Sequence, residues 1–260
     1  MGTGFQIGPV QIPWYGMFIV LGIAAVALLG YVLVKRCGLV YDRFIQTACF
    51  VGLGAMIGAK ILYLAVSWDQ IDFLRITDPD YVNALMGGGF VFYGGLIGGL
   101  IGLALCGKIL HIPVGEYARY TIPVIPVAHA FGRMGCAFVG CCYGIPYSGW
   151  GAVTYTDSPV APEGISLFPV QAVEAVLELA IAAVLCVAVL RAVRAGKKPR
   201  SIELYLVLYA VVRFVLEFLR YDDAERGILM GLSTSQWISV GVCVGVAVYI
   251  GRSRGSYLIH

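Results

Sequence analysis

Residues 14–34 read WYGMFIVLGIAAVALLGYVLV, a run without a single charged side chain. A helix rises 1.5 Å per residue, so about 20 apolar residues cross the hydrocarbon core of a bilayer. This stretch therefore predicts a transmembrane helix. No Lys or Arg precedes it and no small-residue cleavage site follows, so it is expected to stay in the mature protein.

Working outward, six further stretches read the same way, roughly 44–67, 88–106, 117–135, 168–190, 202–220 and 233–251. The second carries Lys60, the fourth is broken by Pro123 and Pro126, and the sixth carries Glu203, Arg213 and Glu217. The composition agrees, with 60% apolar residues, 13% charged residues and a mean hydropathy of +0.86. Soluble domains have about 45–50% and about 25%. A net charge of +3 does not suggest nucleic acid as a partner.

Basic residues in short loops set the orientation. Lys35, Arg36 and Arg43 follow the first span, Lys108 the third, and Arg191, Arg194, Lys197, Lys198 and Arg200 the fifth. Arg252 and Arg254 follow the seventh. The alternate connections carry Asp69, Asp72, Asp78 and Asp80 against Arg75, then Asp157 and Glu163 with no basic residue. The expected architecture is all-α: a polytopic integral membrane protein of seven transmembrane helices, amino terminus outside and carboxyl terminus inside. Residues 1–260 then form one domain, with an extracytoplasmic segment near 136–167. Gly54 and Gly58, Gly94, Gly98 and Gly102, and Gly241 and Gly245 fall in helical register, a spacing that lets helices pack closely.

Ionisable side chains at membrane depth are costly and mark cavities or partners. Arg133 ends the fourth span, Gln171 and Glu174 open the fifth, and Arg213, Glu217 and Arg220 lie along the sixth. Residues four apart share a helix face, so Arg213 and Glu217 are expected to meet. Such a set could simply glue helices together. An excess of arginine near the outer end suits an anion better, since the guanidinium fork matches a phosphate. His129 stands one turn before Arg133. His111 and His260 fall in inner loops.

The stretch 128–144, AHAFGRMGCAFVGCCYG, sets glycines around Arg133 and gathers Cys136, Cys141 and Cys142. On an oxidising side a disulfide is one outcome for that cluster. No metal is expected, because no second Cys/His pair accompanies it at ligand spacing. Gly102 to Lys108 falls one residue short of a phosphate-binding loop, with Ile109 where Ser or Thr would hold magnesium.

Together these residues resemble prolipoprotein diacylglyceryl transferase, and the likeness runs nearly end to end. Trp14-Tyr15-Gly16 opens the first span, and Tyr93-Gly94-Gly95-Leu96-Ile97-Gly98 is similar to the family's His-Gly-Gly-Leu-Ile-Gly. Pro123 and Pro126 lead into Gly132-Arg133-Met134-Gly135, with Gly140 and Gly144 at the later glycines of the family signature. Pro169, Gln171 and Glu174, then Arg213-Phe214, Glu217 and Phe218-Leu219-Arg220, match two further segments. Cys136 and Val139 replace the signature's asparagines, Cys141 its glutamate, Tyr93 the histidine before the glycine pair, and Phe168 the one before Pro169.

The resemblance implies transfer of a diacylglyceryl group from phosphatidylglycerol to the lipobox cysteine of a prolipoprotein signal peptide, releasing glycerol phosphate. It implies a bacterial cytoplasmic (inner) membrane location, with the active site toward the outer leaflet and no cofactor. Arg133, Arg213, Tyr93 and His129 are the expected catalytic residues. Tyr15, Gly94, Gly95, Gly135, Gly144, Gln171, Glu174, Glu217 and Arg220 are expected to bind substrate. Tyr93 or His129 would take the thiol proton, although a phenol titrating near 10 is the poorer base. The alternative is a relative that uses the same phospholipid pocket for another acceptor, or for thiol chemistry at Cys136, Cys141 and Cys142.

Overall fold

A computed structural model describes residues 4–7, 10–156, 158, 160–221 and 227–255, so Asp157 and His260 lie outside the described residues. A hairpin of β1 (Gly4–Ile7) and β2 (Val10–Pro13) runs into α1 (Trp14–Arg36). Then come α2 (Tyr41–Val66), α3 (Pro79–Gly87), α4 (Phe92–Leu110), α5 (Val114–Thr121) and α6 (Val124–Val139). A small hairpin of β3 (Val153–Thr154) and β4 (Ser166–Leu167) precedes α7 (Val170–Arg194) and α8 (Ser201–Leu216). A last hairpin, β5 (Ile228–Leu229) with β6 (Leu232–Ser233), leads into α9 (Thr234–Gly255).

Among the described residues, α1, α2, α4, α7 and Thr234–Arg252 of α9 are each long and apolar enough to cross a membrane. The α5 and α6 helices qualify only as a pair, interrupted where Pro123 removes a backbone donor. Large apolar side chains on these helices face outward, with Val20, Ile23 and Leu28 64–67% exposed. In water such faces drive aggregation, whereas hydrocarbon satisfies them, and helices leave no backbone group unbonded there. The chain is an all-helical polytopic membrane protein. The stretch expected as the sixth span, 202–220, is shorter than its reading. The α8 helix stops at Leu216, and Glu217–Leu219 forms a 3-10 turn. The backbone is redirected there because Ile145 N donates to Leu219 O, and Gly144 and Arg220 form a bridge.

The chain divides into two compact units, Gly38–Ala118 and Met1–Cys37 with Arg119–His260. Within the first, α2 and α4 meet through glycine. A Cβ on Gly54 would strike the Gly98 carbonyl, one on Gly98 the Gly54 carbonyl, and one on Gly94 the Gly58 carbonyl. The register read from the sequence is thus a backbone-to-backbone contact. Gly241 and Gly245 differ, with open space where a Cβ would stand. Lys60 is buried, and its ammonium donates to the carbonyls of Leu85, Gly88 and Gly89, satisfying the end of α3.

Within the second unit α1 packs on α6, α6 on α7, α7 on α8 and α8 on α9. Gly22 admits the Phe131 side chain between α1 and α6, where a Cβ would come within 3.0 Å of the Phe131 Cβ. Ile181 and Leu185 of α7 form an apolar core with Leu208 and Val212 of α8. That core holds α7 and α8 side by side, and α6 lies against α7 next to them.

Candidate functional site

The packing of α6, α7 and α8 gathers the ionisable residues of the second unit. Arg133 Nε lies 3.0 Å from Glu174 Oε2 and donates to His129 Nε2 at 3.2 Å. The other ring nitrogen, His129 Nδ1, faces Glu178 Oε1 at 3.2 Å. Glu174 and Glu178 are both buried. The ring thus sits between two carboxylates, since Nε2, which accepts from Arg133, also lies 3.6 Å from Glu174 Oε1. Both ring nitrogens are therefore engaged in holding Arg133.

Arg213 and Glu217 do share a face, with Nη2 at 2.7 Å from Glu217 Oε2. The same Nη2 donates to Ser235 Oγ at 3.2 Å. Arg213 Nη1 is buried and makes no hydrogen bond among the described residues. A buried donor without an acceptor loses about 1–3 kcal/mol, so it invites an anion. Tyr209, one turn before Arg213, places its ring 5.7 Å from that of His129 and lies within electrostatic reach of both Arg133 and Arg213. Arg220 is buried and within electrostatic reach of Arg133.

Several expected residues turn out to build this place. Gly135 accommodates Tyr15, whose ring a Cβ would meet at 2.8 Å. Gly144 lets two carbonyls approach, since a Cβ there would strike Phe168 O and come within 2.9 Å of Leu219 O. Buried Gln171 donates to Cys141 O at 2.9 Å. Tyr93, Gly94 and Gly95 belong to the other unit. There Gly94 is packed against α2, while Tyr93 is 44% exposed and set edge-on to Phe92. Glu178 and Tyr209 were absent from the expected set. Glu178 had a signal, an ionisable residue one turn beyond Glu174 inside an apolar helix. Tyr209 had none beyond its helical spacing from Arg213.

At the end of α6 the chain turns through Gly140 (φ 82°), then Cys142 (φ 57°), a left-handed conformation rare for a residue with a Cβ. Two side chains pin the turn: Tyr155 donates to Ala137 O and Ser158 Oγ to Val139 O, both at 2.8 Å. The sulfurs of Cys136, Cys141 and Cys142 lie within 4.8 Å of one another, and all three are free thiols. The neighbouring thiols, then the guanidiniums of Arg133 and Arg220, pull the Cys142 thiol down, while its own thiol neighbours push Cys141 up, so the three share their protons as one group. Burial pushes the Tyr155 phenol up, which keeps it a donor. His129, Glu174 and Glu178 also offer ligand atoms within 4.8 Å, but Arg133 already supplies the cation there.

Comparison with known proteins bears on what this arrangement serves. A family model described as prolipoprotein diacylglyceryl transferase matches residues 3–251. A phosphatidylglycerol–prolipoprotein diacylglyceryl transferase of Clostridium tetani (strain Massachusetts / E88) is 35% identical over 96% of this chain and 97% of its own length. One designated phosphatidylglycerol–prolipoprotein diacylglyceryl transferase 2, from Clostridium perfringens (strain 13 / Type A), is 32% identical over 92% and 90%. One from Pasteurella multocida (strain Pm70) is 32% identical over 91% and 84%. With a match across nearly its whole length, this chain belongs to the prolipoprotein diacylglyceryl transferase family.

Proposed function

We propose that this chain moves a diacylglyceryl group from phosphatidylglycerol to the lipobox cysteine thiol of a prolipoprotein, at the outer leaflet of a bacterial cytoplasmic membrane. The observation that carries the mechanism is the buried Arg213 Nη1, which makes no hydrogen bond among the described residues and belongs to a guanidinium within reach of the same Tyr209 that touches the Arg133 cluster. Arg213 Nη1 and the outer nitrogens of Arg133 clamp the lipid phosphate. The acceptor thiol gives its proton to water, its sulfur attacks the glyceryl carbon, the C–S bond forms, the C–O bond to phosphate breaks, and glycerol phosphate leaves with the electron pair. Fixed guanidiniums stabilise the negative charge that grows on that leaving group. Glu174, Glu178 and His129 are positioning residues for Arg133, as Glu217 and Ser235 are for Arg213. Tyr15, Gln171, Arg220, Gly135 and Gly144 shape the cavity.

The topology that suits this reaction counts the α5–α6 pair and α8 as spans, giving seven, with the amino terminus outside. The distribution of basic residues supports it, since the connection after α7 carries Lys197, Lys198 and Arg200, whereas the one before α7 carries Glu163 and no Lys or Arg. The test is complementation: the gene should sustain lipoprotein maturation in a strain depleted of its own transferase. Failure of a well-expressed, correctly inserted protein would remove the assigned acceptor.

A further inference from the structure

A thiol is a weak nucleophile until it loses its proton. A phenol near 10 is a poor acceptor for a proton that leaves at about 8.5, and His129 has both ring nitrogens engaged. The structure holds a different device for making a thiolate. Cys136 lies on the last turn of α6, and the left-handed turn at Gly140 brings Cys141 and Cys142 back to it. Gly140 has no room for a side chain, because a Cβ would come within 3.0 Å of the Tyr155 ring. Tyr155, Ser158 and Gln171 each bond a carbonyl of this turn, so three separate side chains hold the thiols in place. A ligand set preorganised by such outer bonds is the usual surrounding of a metal site.

We propose that Cys136, Cys141 and Cys142 bind a soft d10 cation of the Zn2+ class as three thiolates, leaving its fourth position for an incoming thiol. Thiolate sulfur selects such cations, and Zn2+ takes four ligands in a tetrahedron, so three from the protein leave one position open. Three thiolates and a divalent cation sum to one negative charge, which Arg133 and Arg220, both within electrostatic reach of Cys142, offset. On the transfer reading above, which this last step rests on, the incoming thiol is the acceptor cysteine. It binds as thiolate, its proton passes to water, and its sulfur carries the electron pair to the glyceryl carbon. The cation changes no oxidation state.

The experiment uses the full chain in detergent, reduced, stripped of metal and titrated with Cd2+ alone. One equivalent should bind with ultraviolet thiolate-to-cadmium charge transfer and shield three thiols from alkylation in the unmutated protein. The Cys136→Ser/Cys142→Ser double variant should lose the charge-transfer signal, while Cys186→Ser and Cys243→Ser keep it. No charge transfer in the unmutated protein, or a full signal in the double variant, overturns the site. Adding a lipobox peptide to the cadmium form should raise the signal from three thiolates to four, and a Ser-substituted peptide should not. An unchanged signal overturns the open position. Fourth-ligand binding without any lipid transfer would instead sink the transferase reading and leave the metal site standing.

Discussion

Glu178 Oε1 lies 3.2 Å from His129 Nδ1, and Glu178 has no exposed surface. A buried carboxylate so placed holds the orientation of the ring, and the ring's other nitrogen then receives Arg133. On the proposed mechanism Glu178 acts through two residues, His129 and Arg133. Displacing a reacting or clamping group by about 1 Å can cost about 100-fold in rate. Glu178→Leu is expected to lower kcat by about that factor with little change in KM. Glu178→Gln, which keeps the shape and an oxygen facing Nδ1, should recover much of the loss. Equal activity in the two variants would contradict the positioning role.

The α2–α4 contact makes a sharper distinction between two neighbouring glycines. A Cβ on Gly98 strikes the Gly54 carbonyl, whereas one on Gly99 meets the Val51 side chain at an ordinary 3.6 Å. Gly98→Ala should cost about 1–3 kcal/mol through overpacking. Gly99→Ala should be neutral or slightly stabilising, because it restricts the unfolded chain. Thermal unfolding in detergent reads both, and an equal shift would contradict the close approach.

Lys60 is legible as an anomaly in an apolar span, but its partners are three carbonyls supplied by the end of α3 and the loop after it. Hydrogen bonds to a charged group contribute about 1.5–3 kcal/mol. Lys60→Met should therefore speed amide exchange and proteolysis across residues 79–89 while leaving α7 unaffected. Unaltered exchange in that segment would contradict the capping role.

What could be read in advance divides along physical lines. The Arg213–Glu217 pair and the Gly54, Gly58, Gly94 and Gly98 stripe follow from helical spacing alone, and both stand in the structure. Ionisable Arg133 and Glu174 were conspicuous because hydrocarbon penalises them. The Glu178–His129 contact was not legible, since it depends on how α6 turns against α7. Nor was the meeting of Cys136 with Cys141 and Cys142, which needs positive φ at Gly140 and at Cys142, a residue type that rarely adopts it. The end of α8 at Leu216 was hidden for a similar reason: long-range bonding at Leu219 and Arg220 overrides an apolar pattern that would otherwise continue the helix.

The seven-span topology makes a prediction at two loops. A cysteine replacing Glu163 should react with a membrane-impermeant maleimide added to whole cells, whereas one replacing Lys197 should react only after permeabilisation. Both lie in described connections, between α6 and α7 and between α7 and α8. Reaction of both from the same side would contradict the orientation, and with it the outer-leaflet placement of Arg133.

The phosphate clamp is tested most directly by transfer from labelled phosphatidylglycerol to a lipobox peptide, normalised to folded protein. Removing one preorganised charged donor costs about 3–4 kcal/mol in the transition state, roughly 100- to 1,000-fold in rate. Arg133→Ala and Arg213→Ala should each fall by that much, and Arg133→Lys should also be slow because it keeps the charge but loses the fork. Near-normal turnover in all three variants would contradict the account.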